Sequence, residues 1–203
     1  MPLPKIQVSL KSGEEKLLLN DTKLPFALLD FWRWSASDIL SNATRGRFAE
    51  FIVATATNVD IKEVRDEWGA FDLITPEGIK IEVKSAAYIQ TWEQKQLSKI
   101  AFSTKLAKPW NMEADKRSDI AVRSADVYVF CLLHHDQKLT CDPLNLDHWE
   151  FYVLSTSDLN AYERSQQSIS LKSLKNLTSA VTYESLNERI TSKHRDSSSK
   201  PEI

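Results

Sequence analysis

The stretch FDLITPEGIKIEVKSAAYI, residues 71–89, has the pattern of a β-hairpin. From Ile79 to Lys84, apolar and polar residues alternate with the period of two that a strand requires. The segment Thr75-Pro76-Glu77-Gly78 divides the two arms, and it suits a type I turn because proline presets φ and glycine adopts the left-handed conformation that follows. The pattern therefore predicts a three-residue loop with a bulge, in which Thr75 faces Ile79.

The same register brings charged residues together. Counting back from the turn places Asp72 opposite Glu82, and Lys84 projects from the same strand face as Glu82. Opposed carboxylates destabilise a strand pair, whereas a divalent cation between them reverses the sign, because hard cations prefer oxygen ligands. Two acids and an amine at one place indicate a metal-dependent site. The alternative is a solvent-exposed strand face whose register is shifted by one residue.

Composition and charge bound the class of protein. The chain has 203 residues, 42% hydrophobic and 27% charged, which predicts one globular domain over residues 1–190. Residues 191–203 are polar and rich in breakers, so we expect a disordered tail. The net charge of −2 argues against DNA binding through the whole surface, so any basic surface for DNA must be local. With neither a membrane-length apolar run nor a signal-peptide pattern, the sequence predicts a cytoplasmic protein without membrane association.

Other kinds of site find little support. Cys131 and Cys141 are expected to be free thiols, because the chain lacks an export signal. Together with His134 and His135 they form a candidate zinc set, but Cys131 falls on an apolar strand and the spacing is not that of a standard finger. Four scattered glycines allow no phosphate-binding glycine loop, and no nucleophile elbow is present.

A helix is predicted over residues 35–58, with Ser35 or Ser37 as its N-cap. Gly46 lies inside this helix, where glycine costs about 1 kcal/mol relative to alanine, which is tolerable if another group must approach closely. Glu50 follows one turn later. It either pairs with Arg47 on the surface or turns inward toward the carboxylate pair.

The remaining segments complete the expected fold. Three of them predict strands, two predict shorter, helical pieces, and residues 108–119 predict a mobile loop. The strands are SKIAFST (98–104), ADVYVFCLL (125–133) and WEFYVLST (149–156), and the helical pieces are SISLKSLKNL (168–177) and TYESLNERI (182–190). This order predicts an α/β domain in which helices flank a mixed central sheet. Six tryptophans in one domain favour a heavily packed core.

Asp72, nine intervening residues and then Glu82-Val83-Lys84 resemble the signature of the PD-(D/E)XK nucleases, the superfamily of restriction endonucleases and many repair nucleases. The order of a helix with Glu50, a meander with the motif and a further strand is also similar. The segments RGRFAEFIVATA (45–56) and EVKSAAYIQTW (82–92) resemble an uncharacterised bacterial branch. The resemblance covers roughly residues 30–155, and it departs from the family name in having Phe71 where proline is implied.

This resemblance implies a restriction endonuclease-like core and a Mg²⁺-dependent deoxyribonuclease, with Mn²⁺ able to substitute. Asp72, Glu82 and the carbonyl of Val83 would bind the metal, and Lys84 would position or activate the attacking water. Glu50 would hold a metal-bound water or a second ion. Such chemistry suits phosphodiester hydrolysis, because a metal neutralises charge on the phosphate and lowers the pKa of bound water.

The resemblance also implies DNA as the partner. The candidate contacts are basic, amide and aromatic side chains near the motif: Arg45, Arg47, Gln90, Trp92, Lys95 and Lys99. Restriction, repair and mobile-element defence all remain open as roles. A homodimer is open as well, since double-strand cutting by enzymes with one site usually needs two copies. The alternative function is a catalytically silent nuclease-like module that binds nucleic acid or a partner protein.

Overall fold

A computed structural model describes residues 3, 6–67, 69–108, 110–111 and 116–198. Within these residues the chain forms ten strands and five helices, with 3₁₀ turns at Lys138–Thr140 and Leu146–His148. The strands are β1 (Lys16–Leu19), β2 (Thr22–Ala27), β3 (Leu73–Ile74), β4 (Lys80–Ala87), β5 (Ala101–Ser103), β6 (Trp110–Asn111), β7 (Lys116–Arg117), β8 (Val127–Leu133), β9 (Trp149–Ser155) and β10 (Ser168–Ser170). The helices are α1 (Leu28–Ala36), α2 (Asn42–Ala56), α3 (Thr156–Asn160), α4 (Leu171–Leu177) and α5 (Leu186–Ser198).

The central sheet has four strands in the order β3-β4-β8-β9. β4 and β8 are parallel, from the pair Ile81–Val127 to the pair Ala87–Leu133, whereas β3 and β9 are antiparallel to their neighbours. Parallel neighbours need a crossover connection, and the segment between β4 and β8 supplies it. The prediction of an α/β domain with a mixed sheet flanked by helices is confirmed.

The decisive hairpin has the predicted register. Its paired residues are Leu73 with Ile81 and Ile74 with Lys80. The Thr75 amide donates to the Ile79 carbonyl at 3.0 Å, and Gly78 has the left-handed φ of 86° that the loop requires. The alternative register, shifted by one residue, is therefore excluded.

Two core clusters lie on opposite faces of this sheet, and every residue of β8 is buried between them. Ile81 and Val83 of β4 pack in the first cluster with apolar residues of α2 and α5. Phe130 of β8 packs in the second with residues of β5, β10 and α4. Because side chains alternate along a strand, Glu82 and Lys84 lie on the face opposite to α2.

The single helix predicted over residues 35–58 is wrong. α1 ends at Ala36, and α2 begins only at Asn42, with Ser41 in the N-cap position instead of Ser35 or Ser37. The carboxylate of Asp38 accepts hydrogen bonds from the amides of Leu40 and Ser41. Such local bonds replace the helical ones and end the helix.

The predicted disordered tail is also wrong over residues 191–198, because α5 continues to Ser198. Leu186 and Ile190 bury the start of this helix in the first core cluster. Lys193 then forms an ion pair with Asp158 at 3.0 Å, so tertiary contacts stabilise a segment whose composition is polar. Residues 199–203 lie outside the described part of the chain.

The structure also tests several smaller predictions, with mixed outcomes. Within the predicted loop 108–119, β6 pairs with β7, while residues 109 and 112–115 lie outside the described residues. Residues 168–170 pair with β5 as a strand, and the helix begins only at Leu171. Both cysteines are free, as predicted.

The number of tryptophans suggested a heavily packed core, but not all of them are buried. Trp149 is buried, but Trp34 and Trp92 are exposed. Among the residues that the structure describes, no helix combines the length and apolar character needed to cross a membrane.

Replacing Gly46 should stabilise the protein, because a Cβ at this position would meet nothing within 4 Å. No group among the described residues approaches the helix closely at Gly46. We expect Gly46→Ala to raise the free energy of unfolding by about 0.5–1 kcal/mol, measured by urea denaturation. Gly78→Ala is the matched control and should destabilise, since φ is positive there. A loss of stability in Gly46→Ala would contradict the open space above α2.

Candidate active site

Asp72 lies immediately before the first residue of β3. Its amide donates to the Ile81 carbonyl at 3.0 Å, and its carboxylate accepts the Val83 amide at 2.7 Å. The carboxylate thus takes the place beside β4 that a longer β3 would fill with a backbone oxygen. The ladder stops at Leu73, so Asp72 is not paired across it with Glu82. The prediction that Asp72 lies directly opposite Glu82 in the strand ladder is therefore wrong.

Glu82 and Lys84 project from the same face of β4, as predicted. The Lys84 ammonium donates to a carboxylate oxygen of Glu82, forming an ion pair in which both side chains are partly buried. Residues two apart on a strand point the same way, so the pair follows from the alternation that the sequence shows. The ammonium already offsets part of the charge of Glu82.

Glu50 faces a partner that the sequence interpretation missed. Arg65 reaches it from the loop after α2, with Nη2 donating to Oε1 at 3.1 Å and Nε donating to Oε2. Arg47 instead contacts Glu67 at 3.5 Å on the surface, so the alternative in which Arg47 pairs with Glu50 is wrong. The alternating charges of KEVRDE, residues 62–67, are the only signal of Arg65 in the sequence, and they do not identify its partner.

The electrostatics of the site show that its carboxylates influence one another. Burial raises the pKa of Glu82, and the negative charges of Asp72 and Glu50 raise it further, while Lys84 acts in the opposite direction. The hydrogen bond with Glu50 raises the pKa of Arg65, whose guanidinium also feels the charge of Asp72. Three carboxylates therefore share a region with two cations, and the surplus charge is negative.

Burial and the charge of Glu82 together raise the pKa of Tyr128 to about 12. Tyr128 pairs with Glu82 across β4 and β8 and belongs to the second core cluster. Its phenol therefore stays protonated beside the site at neutral pH, so it forms part of the wall and adds no negative charge.

Backbone geometry adds an oxygen to this region. The amide and carbonyl of one strand residue point to the same side, so the Val83 carbonyl is directed to the edge where Asp72 accepts the Val83 amide. In the described part of the chain, no group of three or more His, Cys, Asp or Glu side chains is arranged to hold a metal ion. The oxygen donors described for this edge are two carboxylates and a carbonyl, the kind of ligand that Mg²⁺ takes in proteins.

The alternative zinc set is not assembled. Cys131 is fully buried in the first core cluster, where burial raises the pKa of its thiol. His135 stacks on His148 with ring centroids 4.0 Å apart, and its Nε2 lies 2.8 Å from the Thr140 hydroxyl. His134 Nε2 lies 3.1 Å from the Asp147 carbonyl. These side chains have structural partners in place of a shared cation.

Two predicted nucleic-acid contacts lie in the interior. Arg45 is 3% exposed and Gln90 is 6% exposed, and the guanidinium donates to the Gln90 amide oxygen at 3.4 Å. Arg45 also donates to Ser85 Oγ at 3.3 Å, joining α2 to β4. Neither side chain is available for a surface contact with DNA, so the prediction is corrected for both.

The other predicted contacts lie at the surface: Arg47, Trp92, Lys95 and Lys99. A network holds the segment that carries three of them, since Gln94 accepts the Gln90 amide at 2.6 Å and donates to Ser98 and to the Tyr88 carbonyl. Trp92 is 54% exposed on this braced segment. Its contact with nucleic acid remains a prediction.

The sequence also matches a known family. The sequence model of a family described as bacteriophage T4 endonuclease IV matches residues 26–173, which is more than two thirds of the chain. The matched segment runs from the end of β2 into α4 and contains every residue of the site described above. No curated protein matches the chain.

Neutralising Glu82 should not harm the metal-free protein. Its pKa is raised above the ordinary 4.5, so the folded state holds the proton more tightly than the unfolded state. Ionisation therefore lowers stability as pH rises through the raised pKa, and the full cost applies above it. In EDTA we expect Glu82→Gln to melt at an equal or higher temperature than wild type at neutral pH, with the difference shrinking toward pH 4.5 and below.

The matched control is Glu77→Gln, which changes an exposed carboxylate in the turn of the same hairpin. It should leave the melting temperature nearly unchanged at every pH. A clear loss of stability in Glu82→Gln alone would mean that the Glu82 carboxylate makes an indispensable structural bond, and it would count against a metal-binding role.

Proposed function

The chain belongs to the bacteriophage T4 endonuclease IV family, a family of nucleases, and we propose that it is a metal-dependent endonuclease that hydrolyses phosphodiester bonds in DNA. The observation that carries this proposal is the arrangement at the open edge of β4. There the Asp72 carboxylate, the Glu82–Lys84 ion pair and the Val83 backbone meet. This arrangement also supports assigning the site to the PD-(D/E)XK type.

In this proposal Asp72, Glu82 and the Val83 carbonyl hold Mg²⁺, with Mn²⁺ as a substitute. The residues fit the ion, because the pKa of Glu82 is raised by burial and by neighbouring carboxylates, and a cation would relieve that repulsion. When bound, the metal would neutralise phosphate charge and lower the pKa of a coordinated water.

Lys84 has a separate role. It lies beside Glu82 without being a metal ligand, so its ammonium is free to hold the attacking water or a phosphate oxygen once the cation occupies Glu82. Lysine suits this task, because its ammonium is a compact charge with three donors on a flexible stem. Its loss should affect the rate of hydrolysis more than the binding of metal or DNA.

Glu50 and Arg65 act as a unit in this proposal. Both carboxylate oxygens of Glu50 accept hydrogen bonds from Arg65, so we assign Glu50 to orienting water instead of direct metal binding. The Arg65 side chain is about one third exposed. Its remaining donors suit a phosphate oxygen, for which arginine has the matching geometry.

DNA would follow the exposed residues Arg47, Lys95 and Lys99, with Trp92 as a stacking platform for an unpaired base. Hydrogen bonds already order the segment that carries Trp92, so DNA binding requires little further ordering of the chain there. Since the chain as a whole is slightly acidic, binding should be weak and strongly dependent on salt. The alternative, a silent module that binds nucleic acid or protein, is favoured by one observation: Lys84 and Arg65 already neutralise two of the carboxylates.

Cleavage of plasmid and single-stranded DNA tests the function directly. Activity should require Mg²⁺ or Mn²⁺ and disappear in EDTA. We expect Lys84→Ala to lower the cleavage rate by about 10²- to 10⁴-fold while keeping metal and DNA binding, since lysine acts in the transition state. Glu50→Ala should lower the cleavage rate less than Asp72→Ala does, because the Glu50 side chain only orients water.

Lys80→Ala is the matched control, for Lys80 is an exposed lysine on the same face of β4 that lies over the Phe71 ring. Its cleavage rate should stay within a few-fold of wild type. Purified protein that binds nucleic acid but cuts neither DNA nor RNA with either metal would favour the silent module.

Metal binding is testable apart from activity. Titration of Mn²⁺ in a calorimeter should give binding to wild type that weakens at least tenfold in Asp72→Asn, a loss of about 1.4 kcal/mol. The asparagine oxygen can still accept the Val83 amide, so the hairpin should remain folded. Glu77→Gln should bind as wild type does. Equal affinity in wild type and Asp72→Asn would remove Asp72 from the metal site.

A further inference from the structure

A large apolar surface covers the first elements of the chain. We call it the N-terminal apolar surface, and it consists of residues from β1, β2 and α1: Leu17, Leu18, Leu19, Phe26, Leu29, Phe31, Trp32 and Trp34. Every residue of β1 is exposed, and α1 has no buried residue. Trp34 is 85% exposed. Water-exposed aromatic residues at this density mark interaction sites in folded proteins.

These residues belong to defined structure. The Leu28 amide donates to the Glu15 carbonyl and the Leu29 amide to the Gly13 carbonyl, each at 2.9 Å. Gly13 has a φ of 93°, and a Cβ there would lie 3.0 Å from the Trp32 ring. The hairpin and helix are therefore folded together with close contacts, and the apolar side chains have fixed positions.

The pattern of β1 predicts burial on both of its faces. Leu17, Leu18 and Leu19 are consecutive, and successive side chains on a strand point to opposite sides. A hairpin with one face toward water would alternate apolar and polar residues. A two-stranded hairpin is also marginally stable by itself and needs further packing. The described chain supplies no cover for either face of β1.

The size of the surface fits a protein–protein interface. Its four aromatic residues and four leucines expose on the order of 900 Å² of apolar area, taking about 150–250 Å² for each aromatic side chain. That exceeds the largest patch of a typical monomer and is close to the roughly 800 Å² that each partner contributes to a standard interface.

The charge of the segment favours a second copy as the occupant. Residues 6–36 carry four basic side chains (Lys11, Lys16, Lys23, Arg33) and four acidic ones (Glu14, Glu15, Asp21, Asp30). A neutral surface attracts neither the phosphates of DNA nor an anionic membrane, and it does not repel itself. The family match begins at residue 26, so β1 and most of β2 lie outside the matched nuclease segment.

We propose that the N-terminal apolar surface is a self-association interface, which the same surface of a second copy of this chain covers around a twofold axis. An isologous contact of this kind buries the side chains that face the second copy and closes as a dimer. The inference does not depend on the proposed nuclease activity.

Sedimentation velocity of the full chain tests the interface over about 1 to 100 µM, because interfaces of this size bind with micromolar or tighter affinity. Wild type should sediment with twice the 23.2 kDa mass of the chain. Leu18→Glu and Trp34→Glu, both at exposed positions, should sediment as monomers. Leu139→Glu, which changes a fully exposed leucine in a distant turn, should remain dimeric.

Hydrogen exchange gives a second measurement on unaltered protein. The amides of β1 should exchange more slowly at high than at low protein concentration. Wild type that stays monomeric at about 100 µM would overturn the proposal, as would a dimer that both glutamate variants leave intact. A monomer that pellets with phosphatidylcholine vesicles would also overturn it and would indicate a membrane surface. DNA cleavage is not read out here, so failure of the interface and failure of the nuclease proposal are distinguishable.

Discussion

The hydrogen bond from the Val83 amide to the Asp72 carboxylate connects the fold of this protein to its candidate site. β3 has only two residues, and the carboxylate of Asp72, immediately before the strand, replaces the backbone oxygen that would have continued the ladder. A longer β3 would satisfy the same amide and cover the edge of β4. Glu82 and Lys84, which flank Val83, would then lie beside a closed strand, with no space for a substrate at that edge.

The charges around that edge oppose stability in the free protein. Burial and nearby negative charge make ionised Glu82 unfavourable, and Lys84 and Arg65 compensate only in part. Structures optimised for stability alone avoid such clusters, whereas functional sites accumulate them. The distribution of cations matters as well, because Arg65 binds Glu50 through two donors while Lys84 binds Glu82 through one. The Asp72 carboxylate accepts a backbone amide instead.

The sequence predicts those features that local chemistry determines. The period of two, the Pro-Gly turn and the apolar run of β8 specify the hairpin, its register and the buried strand without tertiary information. Arg65 escapes prediction because its partner, Glu50, is 15 residues away across a loop without periodicity. The break at Asp38 escapes because a side chain competes with the helix for backbone amides, and α5 extends past residue 190 because buried Ile190 and the Lys193–Asp158 pair anchor it.

Arg45 shows how far such long-range contacts reach. An exposed arginine was the natural expectation for RGR, yet burial lowers the pKa of this guanidinium, and the hydrogen bonds described for it go to neutral oxygens of Leu40, Asn42, Ser85 and Gln90. Burying a cation without a carboxylate is unfavourable unless many hydrogen bonds compensate. Those bonds tie the first turn of α2 to the residue after Lys84. The helix that carries Glu50 and the strand that carries Lys84 are thus fixed to each other on the sheet face that α2 covers.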